Sequence, residues 1–253
     1  MKNILIVHGW MNNTEVFNSL VKYLKNDYNI HYLLYPGFDY ETQNRECCNL
    51  DFMINECKEY VNSHKIDIIL SHSLGGTISL LASPYFLDEP RMILLSPVLK
   101  NIDNIQTKML RHLLPFKDSK LFSNKLKRYF ITKFVEISGV DDKTIKQDLV
   151  EDIFNFDLCM AAALLKSISR DITRLIQQNN YNSNNILLCY GRKDRIVSPR
   201  ILERACKELC LHDIVEFEDG NHSLFISNKH EIVNIINKNS REGECENARV
   251  TFL

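Results

Sequence analysis

The chain has 253 residues, of which 45% are hydrophobic and 25% charged, values typical of one globular folding unit and unlike those of disordered or fibrous proteins. The net charge of -1 gives no overall electrostatic attraction for nucleic acid or for an anionic membrane surface, so we expect neither partner. Because no run of about eighteen apolar residues occurs, we also expect no membrane span and no signal peptide.

Apolar runs of strand length alternate with helical patterns in the N-terminal part of the chain. Runs rich in Ile, Leu and Val predict strands at 4–7, 30–35, 66–70 and 92–95. Between them, apolar spacings of three and four predict helices at 17–24 and 50–60, and a helix of small residues follows residue 73. Continuous apolar strands of this kind are typical of a parallel sheet that is buried on both faces.

Residues 100–180 differ, because they contain long, charged helical patterns and no convincing strand. The alternation then resumes, with strands predicted at 185–190 and 213–217 and helices at 201–211 and 229–236. We therefore predict a doubly wound, mostly parallel α/β sheet built from residues 1–99 and 181–239, with a helical lid insertion at 100–180. Residues 240–253 show little periodicity and are predicted to form a disordered tail.

The third predicted strand runs directly into Ser71-His72-Ser73-Leu74-Gly75-Gly76, which has the form of a nucleophile elbow. In such an elbow a serine occupies a tight turn from strand to helix, and its neighbours must be small because the helix passes close to other strands. Ser71 stands where the G-x-S-x-G motif has its first glycine, a departure that keeps a small residue. The pattern predicts Ser73 as a nucleophile, supported by Gly75 and Gly76.

The first predicted strand ends in His8-Gly9-Trp10. In enzymes with a nucleophile elbow, a loop after an earlier strand supplies one backbone N–H to the oxyanion, and the residue after the nucleophile supplies the other. We therefore predict an oxyanion hole formed by the backbone N–H groups of Trp10 and Leu74, with His8 and Gly9 as supporting residues. The alternative is an ordinary loop with a packed aromatic ring.

Asp194 and His222 each follow a predicted strand near the C-terminal end of the chain. The carboxyl ends of parallel strands meet at one edge of a sheet, which is where open α/β sheets bind their ligands. The chain order Ser73, Asp194, His222 also agrees with that of the elbow enzymes. We predict His222 as the general base and Asp194 as the carboxylate that orients it. Taken alone, His222 would be a solvated loop residue.

Together these motifs resemble the α/β-hydrolase superfamily over about residues 1–99 and 180–238. Within it, His8-Gly9-Trp10 and Ser73-Leu74-Gly75-Gly76 are similar to the carboxylesterases that cleave pimeloyl-acyl-carrier-protein methyl ester in biotin synthesis. That resemblance implies a serine esterase whose tryptophan and leucine N–H groups, here those of Trp10 and Leu74, bind the oxyanion. The sequence departs from the superfamily in beginning at the strand that bears His8, so we expect a sheet without the usual first two strands.

The predicted insertion is strongly basic between residues 103 and 135, where eight Lys and Arg residues occur with two Asp residues. Apolar side chains interleaved with these cations predict an acyl pocket beneath a basic surface. We expect Lys125, Lys127 and Arg128 to dock an acyl carrier protein or the phosphates of coenzyme A. The alternative is an amphipathic cover whose lysines only face water.

The sequence thus predicts a serine hydrolase that cleaves an ester or thioester of an acyl substrate through an acyl-enzyme, without metal or organic cofactor. The eight cysteines show no CxxC pair and no metal-type spacing, so we expect reduced thiols in a cytoplasmic protein. Two alternatives remain open. One is a lyase or cofactor-free peroxidase on the same fold, and the other is a binding protein that has lost activity.

Overall fold

The computed structural model describes residues 1–10, 12, 14–35, 49–100, 124–155 and 172–241. Within them lie six strands: β1 (Lys2–Val7), β2 (Tyr28–Leu33), β3 (Ile68–His72), β4 (Arg91–Leu95), β5 (Ile186–Gly191) and β6 (Ile214–Phe217). They form one sheet in the order β2-β1-β3-β4-β5-β6, and every neighbouring pair is parallel. The predicted doubly wound parallel α/β fold is therefore confirmed.

The described α-helices are α1 (Asn18–Leu24), α2 (Leu50–Ser63), α3 (Leu74–Ala82), α4 (Asn124–Ile137), α5 (Lys143–Asn155), α6 (Ile172–Gln177), α7 (Pro199–Glu208), α8 (Leu224–Ser227) and α9 (Lys229–Arg241). Helix α1 packs against α8 and α9, whereas α3 packs against α2 and α6. These are two separate helical groups, as expected when right-handed crossovers place helices on both faces of a sheet. Across the described ranges, no helix is long and apolar enough to span a membrane.

The chain changes direction across the sheet at its first strand. It passes from β1 to β2 on one side and then returns to β3, which pairs with β1 on the other side. The loops that leave the carboxyl ends of β1 and β3 therefore diverge and open a crevice between them. Such a switch point is where doubly wound sheets hold their ligands.

Burial separates the central strands from the edge strands. All residues of β3 and β5 are buried, whereas β6 at one edge is mostly exposed or half-buried. Central strands are covered by helices on both faces, so they consist of continuous apolar runs, and these were the runs that periodicity located best. The core of the molecule is this sheet with the apolar faces of its helices.

Several element boundaries differ from the predicted ones because pairing, and not hydrophobicity, sets where a strand ends. Strand β2 covers Tyr28–Leu33 because its register matches β1 residue by residue. Strand β3 begins at Ile68, the first of its residues in register with both β1 and β4. Helix α9 extends through Arg241, so residues 240 and 241 of the predicted tail are helical.

After Lys100, the described part of residues 100–180 consists of α4, α5 and α6 with the turns that follow α4 and α6, and it contains no strand. The predicted insertion also includes 101–123 and 156–171, which lie outside the described residues, as does 242–253 of the predicted tail. Helices α4 and α5 pack against each other. The role of this segment as a lid stays a prediction.

One arginine joins several elements at the amino ends of the strands. Arg91, the first residue of β4, donates from Nε to Asn239 Oδ1 (2.8 Å) and from Nη1 to the carbonyl oxygen of Asn184 (2.6 Å). Its Nη2 forms an ion pair with Asp213, and the Arg91 side chain is only 20% exposed. The guanidinium therefore ties β4 to α9 and to the segments that lead into β5 and β6.

We expect Arg91→Ala to lower the free energy of unfolding by about 1 to 3 kcal/mol, because several hydrogen bonds to a charged group are lost together. Urea unfolding followed by circular dichroism measures the change. Arg200→Ala, at an exposed arginine of α7, is the matched control and should stay within about 0.5 kcal/mol of the parent. Equal stability of the two variants would show that the Arg91 contacts contribute nothing net.

Candidate active site

Ser73 lies at the junction of β3 and α3 in a strained conformation, with φ 53° and ψ -118°. A positive φ is costly for a residue with a side chain and persists only where the surroundings impose it. Here the backbone N–H of Ser73 donates to the carbonyl oxygen of Leu95 (2.9 Å) at the end of β4. Its own carbonyl accepts the N–H of Val98 (3.2 Å). Strand β4 and the turn after it therefore hold the elbow in shape.

The small residues around Ser73 are required by close backbone approaches. A Cβ on Gly75 would lie 2.6 Å from the carbonyl oxygen of His8 and closer still to that of Val7, so α3 passes directly over the end of β1. A Cβ on Gly76 would lie 2.8 Å from the Cβ of Pro97. These two positions exclude side chains because backbone and a rigid ring cannot move aside.

Ser71, which replaces the first glycine of the motif, is fully buried within β3. The described non-glycine residues with positive φ are Ser73, Ser96 and Cys210, so Ser71 keeps ordinary strand angles. This position therefore requires a small residue but not the conformational freedom of glycine. The substitution does not disturb the elbow.

The three predicted catalytic residues form one hydrogen-bonded chain. His222 Nδ1 lies 2.8 Å from Asp194 Oδ2, and His222 Nε2 lies 3.1 Å from Ser73 Oγ. The carboxylate accepts from Nδ1–H, which leaves the lone pair on Nε2 directed at the serine hydroxyl. All three side chains are buried. The arrangement can remove the proton of Ser73 and stabilise the imidazolium that results.

Asp194 is itself fixed by hydrogen bonds. Its second oxygen, Oδ1, accepts the backbone N–H groups of Ile196 (2.8 Å) and Val197 (2.9 Å). One carboxylate oxygen therefore anchors the side chain to its own loop, and the other remains for His222. Anchoring of this kind keeps the carboxylate in one rotamer, which keeps the imidazole in one orientation.

The loops that carry Asp194 and His222 lie against each other. A Cβ on Gly191, the last residue of β5, would lie 2.7 Å from the backbone nitrogen of Asn221 and closer still to the backbone of Gly220. Lys193 forms an ion pair with Asp219 across the same two loops. Because β5 and β6 are parallel neighbours and Gly191 allows their loops to touch, Asp194 of one loop reaches the imidazole of His222 in the other.

The predicted oxyanion hole adjoins this chain. Leu74 is the first residue of α3, where backbone N–H groups have no carbonyl acceptor within the helix. Trp10 lines the same pocket as Ser73 and His222, and its ring meets Phe134 of α4 edge-on at 5.5 Å. Gly9 lies beside the elbow, where a Cβ would come 3.0 Å from that of Ser73. The roles of the Trp10 and Leu74 N–H groups stay predictions.

His8 is buried under the same loop. Its Nδ1 donates to the carbonyl oxygen of Gly9 (3.0 Å), and its ring packs edge-on against Tyr35 at 5.3 Å between centroids. The imidazole thus contacts the backbone that leads to Trp10. This position suits the supporting role that the sequence indicates.

The pocket above Ser73 is lined by apolar side chains and, besides the catalytic residues, by the uncharged polar side chains of Asn12, Ser138 and Ser223. Its described apolar lining includes Trp10, Phe134, Val135, Leu149, Ile153 and Ile196. Phe134 and Val135 belong to the apolar set that the sequence predicted for an acyl pocket, whereas Leu149 and Ile153 come from α5, which periodicity did not assign to the site. Helices α4 and α5 therefore form one wall of the pocket.

Two of the three predicted docking residues already have partners inside the chain. Lys127 Nζ donates to the carbonyl oxygen of Phe154 (2.6 Å) and lies 4.6 Å from the centre of that ring. Arg128 pairs with Glu151 and also lies over the Phe154 ring. Lys125 is exposed on α4. Glu151 belongs to α5 and therefore lies outside the basic segment of residues 103–135.

Potential metal ligands do not cluster in the described residues. Among them, no group of three or more His, Cys, Asp and Glu side chains is arranged to hold a metal ion.

His72 is a site residue to which the sequence assigned no role. It is buried, and its Nε2 donates to the backbone carbonyl oxygen of His222 (3.0 Å). Its Nδ1 faces Gly9, where a Cβ would lie 2.9 Å away. Burial first, and then the neighbouring His222, hold the pKa of His72 well below its usual range. A neutral ring thus packs between the loop of Trp10 and the loop of His222.

The sequence model of the alpha/beta hydrolase fold family matches residues 2–229. No curated protein matches the chain significantly. Similar solved structures include an esterase from Exiguobacterium antarcticum, with 14% identity, coverage of 95% of this chain and 92% of that one, and a TM-score of 0.79. A bromoperoxidase from Bacillus anthracis has 12% identity, the same coverages and a TM-score of 0.78. At such identities the likeness shows the fold alone.

The lowered pKa of His72 predicts a pH dependence of stability. Below about pH 6.5, the usual pKa of histidine, the unfolded chain binds a proton at residue 72 that the folded protein refuses, so stability falls as the pH falls. We expect His72→Gln, which cannot titrate, to reduce that slope by up to about 1.4 kcal/mol per pH unit. Urea unfolding of both proteins from pH 7.5 to pH 5 measures it. Parallel profiles would contradict the assignment.

Proposed function

The chain belongs to the alpha/beta hydrolase fold family, and from this we propose that it is a serine hydrolase that cleaves an acyl ester or thioester. The observation that carries the proposal is the hydrogen-bonded chain from Asp194 through His222 to Ser73. A serine hydroxyl is a poor nucleophile until a base takes its proton, and this chain supplies a base in the correct tautomer.

The proposed reaction proceeds in two steps. Ser73 Oγ attacks the acyl carbonyl carbon while His222 Nε2 takes the hydroxyl proton, and Asp194 stabilises the imidazolium. The N–H groups of Leu74 and Trp10 bind the oxyanion of the tetrahedral intermediate, a contribution of about 3 kcal/mol for each such donor in other enzymes. His222 then gives its proton to the leaving alcohol or thiol, and water attacks the acyl-enzyme by the same route in reverse.

The walls of the pocket support an uncharged, apolar acyl group. The described lining contains Phe134, Val135, Leu149 and Ile153, with no Asp, Glu, Lys or Arg side chain among those residues. A charged acyl group would lose its hydration there without gaining a partner. An aliphatic or aryl acyl group would bury apolar surface against α4 and α5 instead.

Two other classes of function also fit the fold. A bromoperoxidase is among the structures of similar fold, and lyases also occur on it, so the fold does not select the reaction. A binding protein that has lost activity would have no need of a strained serine hydrogen-bonded to a buried histidine. The complete hydrogen-bonded chain therefore favours an active enzyme over a binding protein, and product analysis separates hydrolysis from the other reactions.

The thiols support a location in a reducing compartment, and we propose the cytoplasm. Cys57, Cys189 and Cys206 are buried and free of disulfides. Burial raises the pKa of Cys57 and of Cys206 to about 12, so neither forms a thiolate near neutral pH. These cysteines behave as packing residues.

We expect the purified protein to hydrolyse p-nitrophenyl esters and acyl thioesters and to react with a fluorophosphonate at Ser73. Ser73→Ala should lose both activities, with a fall in kcat of about 10⁴-fold or more. The reason is that, among the described residues that line the pocket, Ser73 is the nucleophile hydrogen-bonded to the histidine base. A chain-length series of the esters identifies the acyl group. Mass spectrometry of the labelled peptide locates the reactive serine.

Ser63→Ala, at an exposed serine of α2, is the matched control and should keep full activity. Labelling at another serine, or turnover that survives in Ser73→Ala, would refute the assignment of the nucleophile. Halogenation or carbon–carbon cleavage without ester hydrolysis would instead favour one of the other enzyme classes.

A narrower form of the proposal has a carrier-linked substrate, such as the methyl ester of an acyl chain on an acyl carrier protein, as in biotin synthesis. Support comes from the basic segment and from the exposure of Lys125 on α4, the helix that also carries the pocket residues Phe134 and Val135. Such a carrier is acidic, and charge complementarity at the rim of an interface raises the rate of association.

We expect Lys125→Glu to lower kcat/KM for an acyl-carrier-protein ester by about threefold to tenfold while p-nitrophenyl esters are unaffected. The triple reversal of Lys125, Lys127 and Arg128 should lower it further. The single variant is the cleaner test because Lys127 and Arg128 also hold α5. Unchanged turnover of the carrier substrate in both variants would exclude docking at this surface.

A further inference from the structure

The loop that carries His222 is bonded to the turn that follows α4. Asn221 Nδ2 donates to the carbonyl oxygen of Gly139 (2.6 Å), and the backbone N–H of Ser223 donates to the carbonyl oxygen of Ser138 (3.3 Å). The residues on both sides of His222 are thus attached to two successive residues of one turn. This turn lies 82 residues away in the chain from Asn221.

The two surfaces also fit each other closely. Gly139 has φ +85°, and a Cβ there would lie 2.5 Å from Asn221 Nδ2 and closer still to Asn221 Cβ and Cγ. The carboxamide of Asn221 therefore packs flat against the glycine backbone. Only a residue without a side chain permits both the left-handed turn and this approach.

The turn is a fixed part of α4 and not a loose loop. The N–H of Ser138 donates to the carbonyl oxygen of Phe134 (3.0 Å), and that of Gly139 donates to the carbonyl oxygen of Glu136 (3.2 Å). The Ser138 hydroxyl donates to the carbonyl oxygen of Val135 (2.7 Å). Any movement of α4 therefore moves the acceptors that hold Asn221 and Ser223.

The same helix lines the substrate pocket with Phe134 and Val135, and the turn after it does so with Ser138. One rigid element thus contacts both the space for the acyl group and the loop of the histidine. From the opposite side, His72 donates to the carbonyl oxygen of His222. The histidine loop is held between β3 and α4.

We propose that Asn221 is a positioning residue, whose carboxamide ties the His222 loop to the turn after α4 so that this helix holds the imidazole on Ser73. The inference rests on the proposed function and deepens it: the segment after β4 helps to form the active geometry in addition to covering it. A displacement of about 1 Å at reacting groups lowers rates by about 100-fold. Loss of the hydrogen bond between Asn221 and Gly139 should therefore lower kcat.

Asn221→Ser separates this role from the local turn. Asn221 Oδ1 also accepts the N–H of Ser223 (2.8 Å), and a serine oxygen can still accept that bond but cannot reach Gly139. Asn182→Ser is the matched control. Asn182 has the same two bonds at the amino end of β5, where Oδ1 accepts the N–H of Asn184 (3.1 Å) and Nδ2 donates to Glu89 (2.8 Å).

We expect Asn221→Ser to lower kcat for p-nitrophenyl esters about 10-fold to 100-fold with KM within about twofold of the parent. Its Tm should match that of Asn182→Ser, which keeps parental kcat. Gly139→Ala approaches the same loop from the side of α4 and should also lower kcat. Amide exchange at His222 and Ser223 should accelerate in Asn221→Ser and in Gly139→Ala.

A kcat within threefold of the control for Asn221→Ser, with unchanged amide exchange at residues 222 and 223, would overturn the inference. A fall in activity that follows only the loss of folded protein would also overturn it. Failure of the proposed function has a different signature. The parent protein would then neither hydrolyse esters nor react at Ser73, while the amide exchange of the variants would still decide whether Asn221 holds the loop.

Discussion

The hydrogen bond between His222 and Ser73 joins residues 149 positions apart, and most of the described architecture serves to make it possible. Ser73 follows β3, whereas His222 follows β6, with β4 and β5 lying between these strands in the sheet. The histidine loop must therefore reach across two strands to meet the serine. Parallel strands bring both to one edge, and the contacts of His72, Asn221 and Ser223 hold the loop at its far end.

The elbow shows a local conflict that tertiary structure resolves. Ser73 has backbone angles that a non-glycine residue does not adopt on its own, and these angles expose its hydroxyl above the sheet. Hydrogen bonds from Ser73 to β4 and its following turn, and the approach of Gly75 to the end of β1, offset that strain. Contacts with the neighbouring strands β1 and β4 thus hold Ser73 in a backbone conformation that it would not adopt alone.

The central strands and the residues of the hydrogen-bonded chain could be predicted from sequence because each signal is local. Buried strands are continuous apolar runs, and Ser73, Asp194 and His222 directly follow such runs. The ends of β2 and the start of β3 could not be predicted from sequence, because the pairing of these strands with β1 determines them. The pairing of Arg128 with Glu151 also escaped a count along the chain, since the partners meet only when α4 packs on α5. His72 and Asn221 carry no signal of their own, because their roles depend on carbonyl groups that are distant in sequence.

These contacts give the segment after β4 two tasks that constrain each other. Helix α4 forms a wall of the pocket through Phe134 and Val135, while the turn at its end holds the loop of His222. A change of side chain in the wall alters which acyl group fits, but a change that shifts the helix axis also moves the imidazole relative to Ser73. Specificity can therefore vary through side chains that point into the pocket only as long as the backbone of Ser138 and Gly139 keeps its place. Gly139 keeps the two tasks independent, because it contacts Asn221 through its backbone and has no side chain.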